Sequence, residues 1–340
     1  MYKISLIVVV IVIALICLSC STVPKGQIQE IETLNIGGIN QYIYHSGDPT
    51  KPVLLILHGG GLPLPGIASK NRYQTLSENF LVVYWDQRGT GLSTSDKLNK
   101  TNMRLIDYVN DVKEITAHLK SRYGREKIYL LGHSWGSMIG LEVIENAAND
   151  YYAYIGLSQQ INLGNSDSAV YEELIGRLEA EGNETGMTQL RDLGAPPYKN
   201  VSDWLLLREI VAQNKGLVSG MGDIGMLGMV AEMVGGFIWN FDYPWFETFR
   251  INGNMNRTME NIYDEMMAYN RSGLNRLTIP TAFIHGKHDL NSHPQPLRKW
   301  YASLESPQKQ LLEFSQSAHM PMWEEKAKFQ EEVVKFFKFH

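Results

Sequence analysis

Ile128-Tyr129-Leu130-Leu131-Gly132-His133-Ser134-Trp135-Gly136-Ser137 reads as a strand, a sharp turn and the start of a helix. The four-residue apolar run suits a buried strand, and Ser137 to Glu145 has helical composition. Between them lies G-x-S-x-G, a turn expected to hold the Ser hydroxyl clear of the sheet. Glycines two before and two after Ser134 relieve crowding where strand and helix meet. Strand, turn and helix in this order make Ser134 a candidate nucleophile.

The surroundings extend the same pattern. From Ile31 onward strands alternate with helical segments, the signature of an α/β chain with a mostly parallel sheet. Pro52 to Leu57 and Phe80 to Trp85 are continuous apolar runs, as buried parallel strands should be. Ile106, Val109, Val112, Ile115 and Leu119 recur at helical spacing before the Ser134 strand. Tyr152 to Leu157, Ala282 to Ile284 and Gln310 to Phe314 read as later strands, and Trp323 to Phe337 as a closing helix. The rhythm stops over residues 161–275, which are helical in composition with a Gly- and Met-rich centre from Gly216 to Gly236. Such an insert is expected to cap the sheet's C-terminal edge, where open α/β sheets bind ligands. Met221, Met226, Met229 and Met233 would line an apolar pocket or form the cap's own core. The expected division is residues 31–160 and 276–340 for the core and 161–275 for the cap.

A Ser hydroxyl is a poor nucleophile until an imidazole takes its proton, and the imidazole needs a carboxylate to fix its tautomer. Both partners follow in the order Ser, acid, His. Asp289 ends Ile284-His285-Gly286-Lys287-His288-Asp289, a strand followed by a turn. His319 lies in the loop Ser315 to Pro321, between the last strand and the last helix. His58 starts a Gly loop and is read as shaping it. His133 is read as pointing away from the Ser, His285 and His288 flank the acid, and His293 sits in a Pro-rich turn. Acyl transfer also needs donors aimed at the developing oxyanion. The backbone N–H of Trp135 is the first candidate. Gly60 in His58-Gly59-Gly60-Gly61 is the second, with Gly61 next. Neither a phosphate-binding loop motif nor metal-ligand spacing is present, so the chemistry is read as free of metal and cofactor.

These motifs together resemble the proline iminopeptidase family of α/β-hydrolases. Gly132-His133-Ser134-Trp135-Gly136-Ser137 is similar to its G-x-S-W-G-S turn. Asp86-Gln87-Arg88-Gly89-Thr90-Gly91-Leu92-Ser93 is similar to its D-Q-R-G-x-G-x-S segment. The resemblance implies an α/β-hydrolase fold with a helical cap and a Ser134–Asp289–His319 triad. It also implies removal of an N-terminal residue from short peptides. Two departures stand out. The family's H-G-G-P-G is here His58-Gly59-Gly60-Gly61-Leu62. The cap glutamates that meet the substrate's free amine do not align, leaving Glu209, Glu232 and Glu247 as candidates, each with a solvent-facing alternative. Within D-Q-R-G, Asp86 and Arg88 are read as bracing the active-site loops.

Three functional readings remain: an aminopeptidase, an esterase or amidase for small apolar esters or lactones, and an inactive lipid-anchored binding protein on the same scaffold. A Ser at the turn argues against dehalogenase and epoxide hydrolase chemistry, which uses an Asp there. The chain has 340 residues, 44% hydrophobic and 20% charged, with net charge −5. That composition is globular, and nothing in it points to a nucleic-acid partner. Before the fold, Ile4 to Cys20 is uncharged and apolar and ends Leu18-Ser19-Cys20, similar to a bacterial lipobox with Cys20 as the lipid-bearing residue. An uncleaved signal anchor is the alternative, and either would hold the domain on a membrane, facing outward. Both cysteines of the chain, Cys17 and Cys20, lie in this segment, which leaves no disulfide or thiol nucleophile in the domain. Residues 21–30 are read as a polar tether.

Overall fold

Eight strands form one sheet: β1 (Ile28–Ile36), β2 (Ile39–Gly47), β3 (Val53–Leu57), β4 (Leu81–Asp86), β5 (Ile128–His133), β6 (Tyr151–Leu157), β7 (Thr281–Gly286) and β8 (Lys309–Phe314). This is a computed structural model, and it describes residues 25–60, 73–238 and 252–340. The spatial order is β1-β2-β4-β3-β5-β6-β7-β8. β1 and β2 form an antiparallel hairpin and β2 joins β4 antiparallel; every pairing from β4 to β8 is parallel. Parallel strands need crossovers that cover both faces, which is why β3, β4, β5 and β7 are buried at every position.

The period of two along each strand divides the core into two layers. Leu55, Leu57, Val83, Trp85 and Leu130 face α1 (Leu105–Tyr123) and α2 (Trp135–Ala147). Leu54, Ile56, Val82, Tyr84 and Leu131 face the opposite way. Each fully buried side chain of this size contributes about 1.5–3 kcal/mol relative to exposure. α2 is buried from Trp135 through Ile144 and apolar on nearly all sides, so the residues after Ser134 anchor it in the centre of the molecule.

Between β6 and β7 the described residues are helical: α3 (Leu163–Glu181), α4 (Glu184–Leu193), α5 (Val201–Gln213), α6 (Met226–Ile238) and α7 (Asn252–Ala268). The first three begin at Asn162, Asn183 and Asn200. Each side-chain oxygen accepts the backbone N–H three residues on, at 2.9 Å. After β7 come α8 (Pro294–Ser303), the single turn α9 (Pro321–Glu324) and α10 (Lys326–Lys338). α10 sets Phe329, Val333, Phe336 and Phe337 against the second core layer. The architecture is an α/β-hydrolase fold with a helical cap inserted after β6.

Four expectations change. β1 begins at Ile28, inside the stretch read as tether, because Ile28 and Leu34 pack on one core layer and Ile31 on the other, with polar residues between them. Ile106 is 48% exposed, since the buried stripe of α1 runs through Val109, Val112, Ile115 and Leu119 instead. The closing helix is broken at Glu325 into α9 and α10. Of the four cap methionines, Met229 and Met233 are buried, Met226 is half-buried and Met221 is exposed. The expectations on residues 1–24, on Gly61 and on Glu247 lie outside the described residues.

Candidate active site

The C-terminal ends of six parallel strands deliver the candidate residues to one edge of the sheet. Ser134 follows β5 directly and takes φ 53°, ψ −117°, a conformation that a non-glycine residue adopts only where the surroundings enforce it. Two glycines make the turn possible. A Cβ on Gly132 would come within 2.9 Å of Ser137 Cα, and one on Gly136 within 2.7 Å of the His58 oxygen. Ser134 N donates to Leu157 O at 2.9 Å, carrying the β5–β6 ladder into the turn.

His319 and Asp289 arrive from the loops after β8 and β7. His319 Nδ1 donates to Asp289 Oδ2 at 2.9 Å and lies 3.1 Å from Oδ1. Both residues are buried. Asp289 Oδ1 accepts Asn291 N at 2.8 Å and Ser292 N at 2.7 Å, while His285 Nε2 lies 3.3 Å from Oδ2. Burial alone would raise the Asp289 pKa. The charge and hydrogen bond of His319, helped by His285 and the Ser292 N–H, outweigh it and leave the carboxyl below its usual value. No hydrogen bond between Ser134 Oγ and His319 is among those described; such bonds are commonly long before substrate binds.

The loop carrying His319 is fastened through its backbone. The His319 carbonyl accepts Ser158 Oγ at 3.1 Å and His133 Nε2 at 3.2 Å. The His133 and His319 rings lie 5.0 Å apart. His133, next to the candidate nucleophile, therefore braces the candidate base, a role that the reading of it as pointing away did not include. Burial, with the neighbouring His319, brings the His133 pKa down to about 3 and keeps that imidazole neutral. Ser158 holds its place at φ 48°, a second strained non-glycine residue at this edge. From below, the buried carboxyl of Glu324 accepts Ala318 N at 2.8 Å and Ser219 N at 2.6 Å, and burial raises its pKa.

The cap is stitched to the same loops. His319 N donates to Leu217 O at 3.1 Å and Leu290 N to Gly216 O at 3.0 Å. Arg208 on α5 pairs with the buried Asp167, lies 4.7 Å over the Trp204 ring and donates from Nη1 to Asn291 O at 3.0 Å. Glu209 is exposed on α5 and accepts Gln213 Nε2 at 3.1 Å, so it is a solvent-facing carboxylate. Glu232 is exposed on α6.

The two candidate oxyanion residues meet. A Cβ on Gly60 would fall 2.9 Å from Trp135 Cβ, and one on Gly59 would fall 3.3 Å from Ser134 Cβ. The loop after β3 thus runs against the start of α2 at a distance that glycine permits. His58 shapes this loop, its Nδ1 donating to Gly59 O at 2.8 Å, and burial lowers its pKa to about 4. Asp86 Oδ2 accepts Leu92 N at 2.9 Å. Arg88 makes a buried two-pronged pair with Asp111, at 2.6 and 2.5 Å. Both therefore brace loops, and the Arg88 charge is spent inside the protein. Among the described groups, a Ser hydroxyl, an imidazole backed by a buried carboxylate and a close-packed Gly loop stand together. That set can carry nucleophilic acyl transfer.

Comparison with known proteins bears on the fold and the kind of enzyme. Residues 48–184 match the family model described as Serine aminopeptidase, S33. The chain is 29% identical to the Probable aminopeptidase YbaC of Bacillus subtilis (strain 168) over 319 residues, 93% of this chain and 98% of the relative. The chain has the α/β-hydrolase fold and is similar to aminopeptidases over these stretches. Solved structures agree on the fold. The proline iminopeptidase of Mycobacterium smegmatis superposes with a TM-score of 0.64 at 16% identity, covering 92% of this chain and 98% of that one. A proline iminopeptidase-related protein from Thermus thermophilus gives a TM-score of 0.60 at 19% identity, covering 91% and 98%.

Proposed function

We propose that this hydrolase removes the N-terminal residue from short peptides through an acyl-enzyme on Ser134. The observation that carries the mechanism is the buried Asp289–His319 pair beside a strained Ser turn. In the first step Ser134 Oγ attacks the carbonyl carbon, its proton passes to His319 Nε2, and the carbonyl π electrons move onto oxygen. The Trp135 and Gly60 N–H groups receive that oxyanion. Collapse expels the leaving amine with the proton from His319. Water, deprotonated by the same imidazole, then releases the acyl group and frees Ser134. Asp289 keeps the His319 proton on Nδ1, so that Nε2 is free to accept.

The peptide substrate is supported by the family resemblance, by the aminopeptidase name of the long relative and by the cap's hydrogen bonds to the His319 and Asp289 loops. Pro or another small apolar residue is the preferred N-terminal residue. The test uses prolyl and alanyl arylamides with and without an acetyl group on the amine. Free-amine arylamides should turn over and their acetylated forms should lose most of that activity. Equal cleavage of both would contradict an aminopeptidase.

One observation favours a second reading, an esterase or lactonase on the same residues. Val218, Met229 and Met233 of the cap share a buried apolar cluster with Met320, Met322 and Trp323, directly beside His319. An apolar cap interior next to the candidate base suits an apolar acyl group better than an ammonium. Turnover of short p-nitrophenyl esters without any arylamide cleavage would select it.

The N-terminal segment is proposed to hold the enzyme at the outer face of a bacterial membrane, through lipid on Cys20. The support is the apolar run Ile4 to Cys20 and its lipobox-like ending. Wild type should incorporate a radiolabelled fatty acid and Cys20→Ser should not. A wild-type chain that stays in the membrane fraction without taking up label would point to an uncleaved anchor.

A further inference from the structure

The Asp86-Gln87-Arg88-Gly89 segment contributes nothing to the Ser134–His319–Asp289 set, yet its central side chain lies between the two candidate oxyanion residues. Gln87 is 1% exposed. Its Nε2 donates to His58 O at 2.8 Å, and its Oε1 accepts Trp135 Nε1 at 3.1 Å. The amide orientation follows from chemistry alone. An indole N–H is only a donor and a backbone carbonyl only an acceptor, so oxygen must face Trp135 and nitrogen must face His58. His58 opens the loop that carries Gly60, and Trp135 opens α2. One planar group therefore spans the gap across which Gly60 packs on Trp135.

The rest of the segment stiffens this bridge. Arg88 is locked to Asp111, and Tyr108 OH donates to Arg88 O at 3.2 Å. The Tyr108 ring meets Trp135 edge to face at 5.3 Å. Trp135 is thus held on one side by an aromatic ring and on its polar edge by Gln87. Other residues cannot replace the amide. Glu would set an acceptor against the His58 carbonyl, Leu would leave two buried groups unpaired, and Asn is a methylene too short.

We propose that Gln87 is a positioning residue of the oxyanion hole, fixing the spacing between the Gly60 loop and the Trp135 N–H. Gln87 touches neither substrate nor nucleophile; it acts through its two partners. It follows that the Trp of the G-x-S-W-G-S turn and the Gln of the D-Q-R-G segment form one hydrogen-bonded unit. The inference rests on the serine-hydrolase reading above.

The test compares wild type with Gln87→Leu, Trp135→Phe and the double variant, using active-site titration with a fluorophosphonate, kcat and KM on a substrate that wild type turns over, and Tm. Gln87→Leu should lower kcat per titrated site by roughly 10- to 100-fold, less than outright loss of an oxyanion donor, with KM little changed. Trp135→Phe removes one of the two bonds and should lower kcat less. The double variant should be no worse than Gln87→Leu, because the two side chains act as one. If Gln87→Leu does not fold, Gln87→Glu, which keeps the size and the acceptor for Trp135, carries the same expectation. Wild-type kcat per titrated site in the variant that folds overturns the proposal whatever its Tm. So does a loss confined to KM, or single effects that multiply in the double variant. A wild-type chain that neither reacts with the probe nor turns over overturns the serine-hydrolase reading and this inference with it.

Discussion

Replacing Ser134 by Ala is expected to lower kcat by about 10⁵- to 10⁶-fold, with KM and Tm close to wild type. The size follows from what the residue does in the proposed mechanism. Without the hydroxyl there is no acyl-enzyme, and His319 has no proton to accept from the protein. Rate enhancement then rests on binding and the oxyanion donors alone. Stability should change little because Ser134 is only half-buried and its Oγ makes none of the described hydrogen bonds. Ala at φ 53° also bears the same backbone strain as Ser. Steady-state kinetics on the preferred arylamide or ester, set beside thermal unfolding, checks both halves. A loss smaller than about tenfold would mean that the chemistry runs elsewhere.

Asp289→Asn should cost about 10⁴-fold in kcat, although Asn has nearly the same shape. The structure dictates how the amide would sit. Asp289 Oδ1 receives two backbone N–H groups, from Asn291 and Ser292, so the Asn oxygen must take that place. Its NH₂ then occupies the Oδ2 position, 2.9 Å from His319 Nδ1. A donor there forces Nδ1 to accept and drives the imidazole proton onto Nε2, the atom that must take the Ser134 proton. The variant should fold, bind substrate with little change in KM and fail in turnover. Pre-steady-state acylation measured against wild type would locate the defect in the first chemical step. Retention of a tenth or more of wild-type kcat would show that another group orients His319.

The turn around Ser134 is legible in the sequence because local sterics constrain it. Gly132 and Gly136 are both placed where a Cβ would strike backbone, so the spacing of the motif records the geometry directly. The buried parallel strands are legible for a similar reason, as apolar runs without alternation. β1 escapes because an edge strand with a polar face reads like a linker until its partner β2 is known. Ile106 shows the complementary error, since it shares the helical spacing of α1 but lies off its buried stripe, where Leu105 and Tyr108 meet the core in its place. Asp289 and His319 can be placed by order and by their position after late strands. His133, Ser158, Glu324 and Gln87 cannot, because each acts through a hydrogen bond to a residue 29 or more positions away, or through a neighbour fixed by tertiary packing. The cap adds a further obstacle, as Leu217 and Gly216 hold the His319 and Asp289 loops with backbone carbonyls that leave no mark on residue type. Glu209 is a candidate by composition alone, and its exposure on α5 is a matter of helix phase within an otherwise largely apolar stretch.

The claim on which the rest depends is a covalent intermediate on Ser134. Intact-mass spectrometry of the protein treated with a fluorophosphonate, followed by peptide mapping, tests it most directly. The account predicts one adduct per chain, on the peptide containing Ser134, absent in Ser134→Ala and formed in step with loss of hydrolytic activity. Undiminished turnover by a fully treated protein that carries no adduct at Ser134 would contradict it.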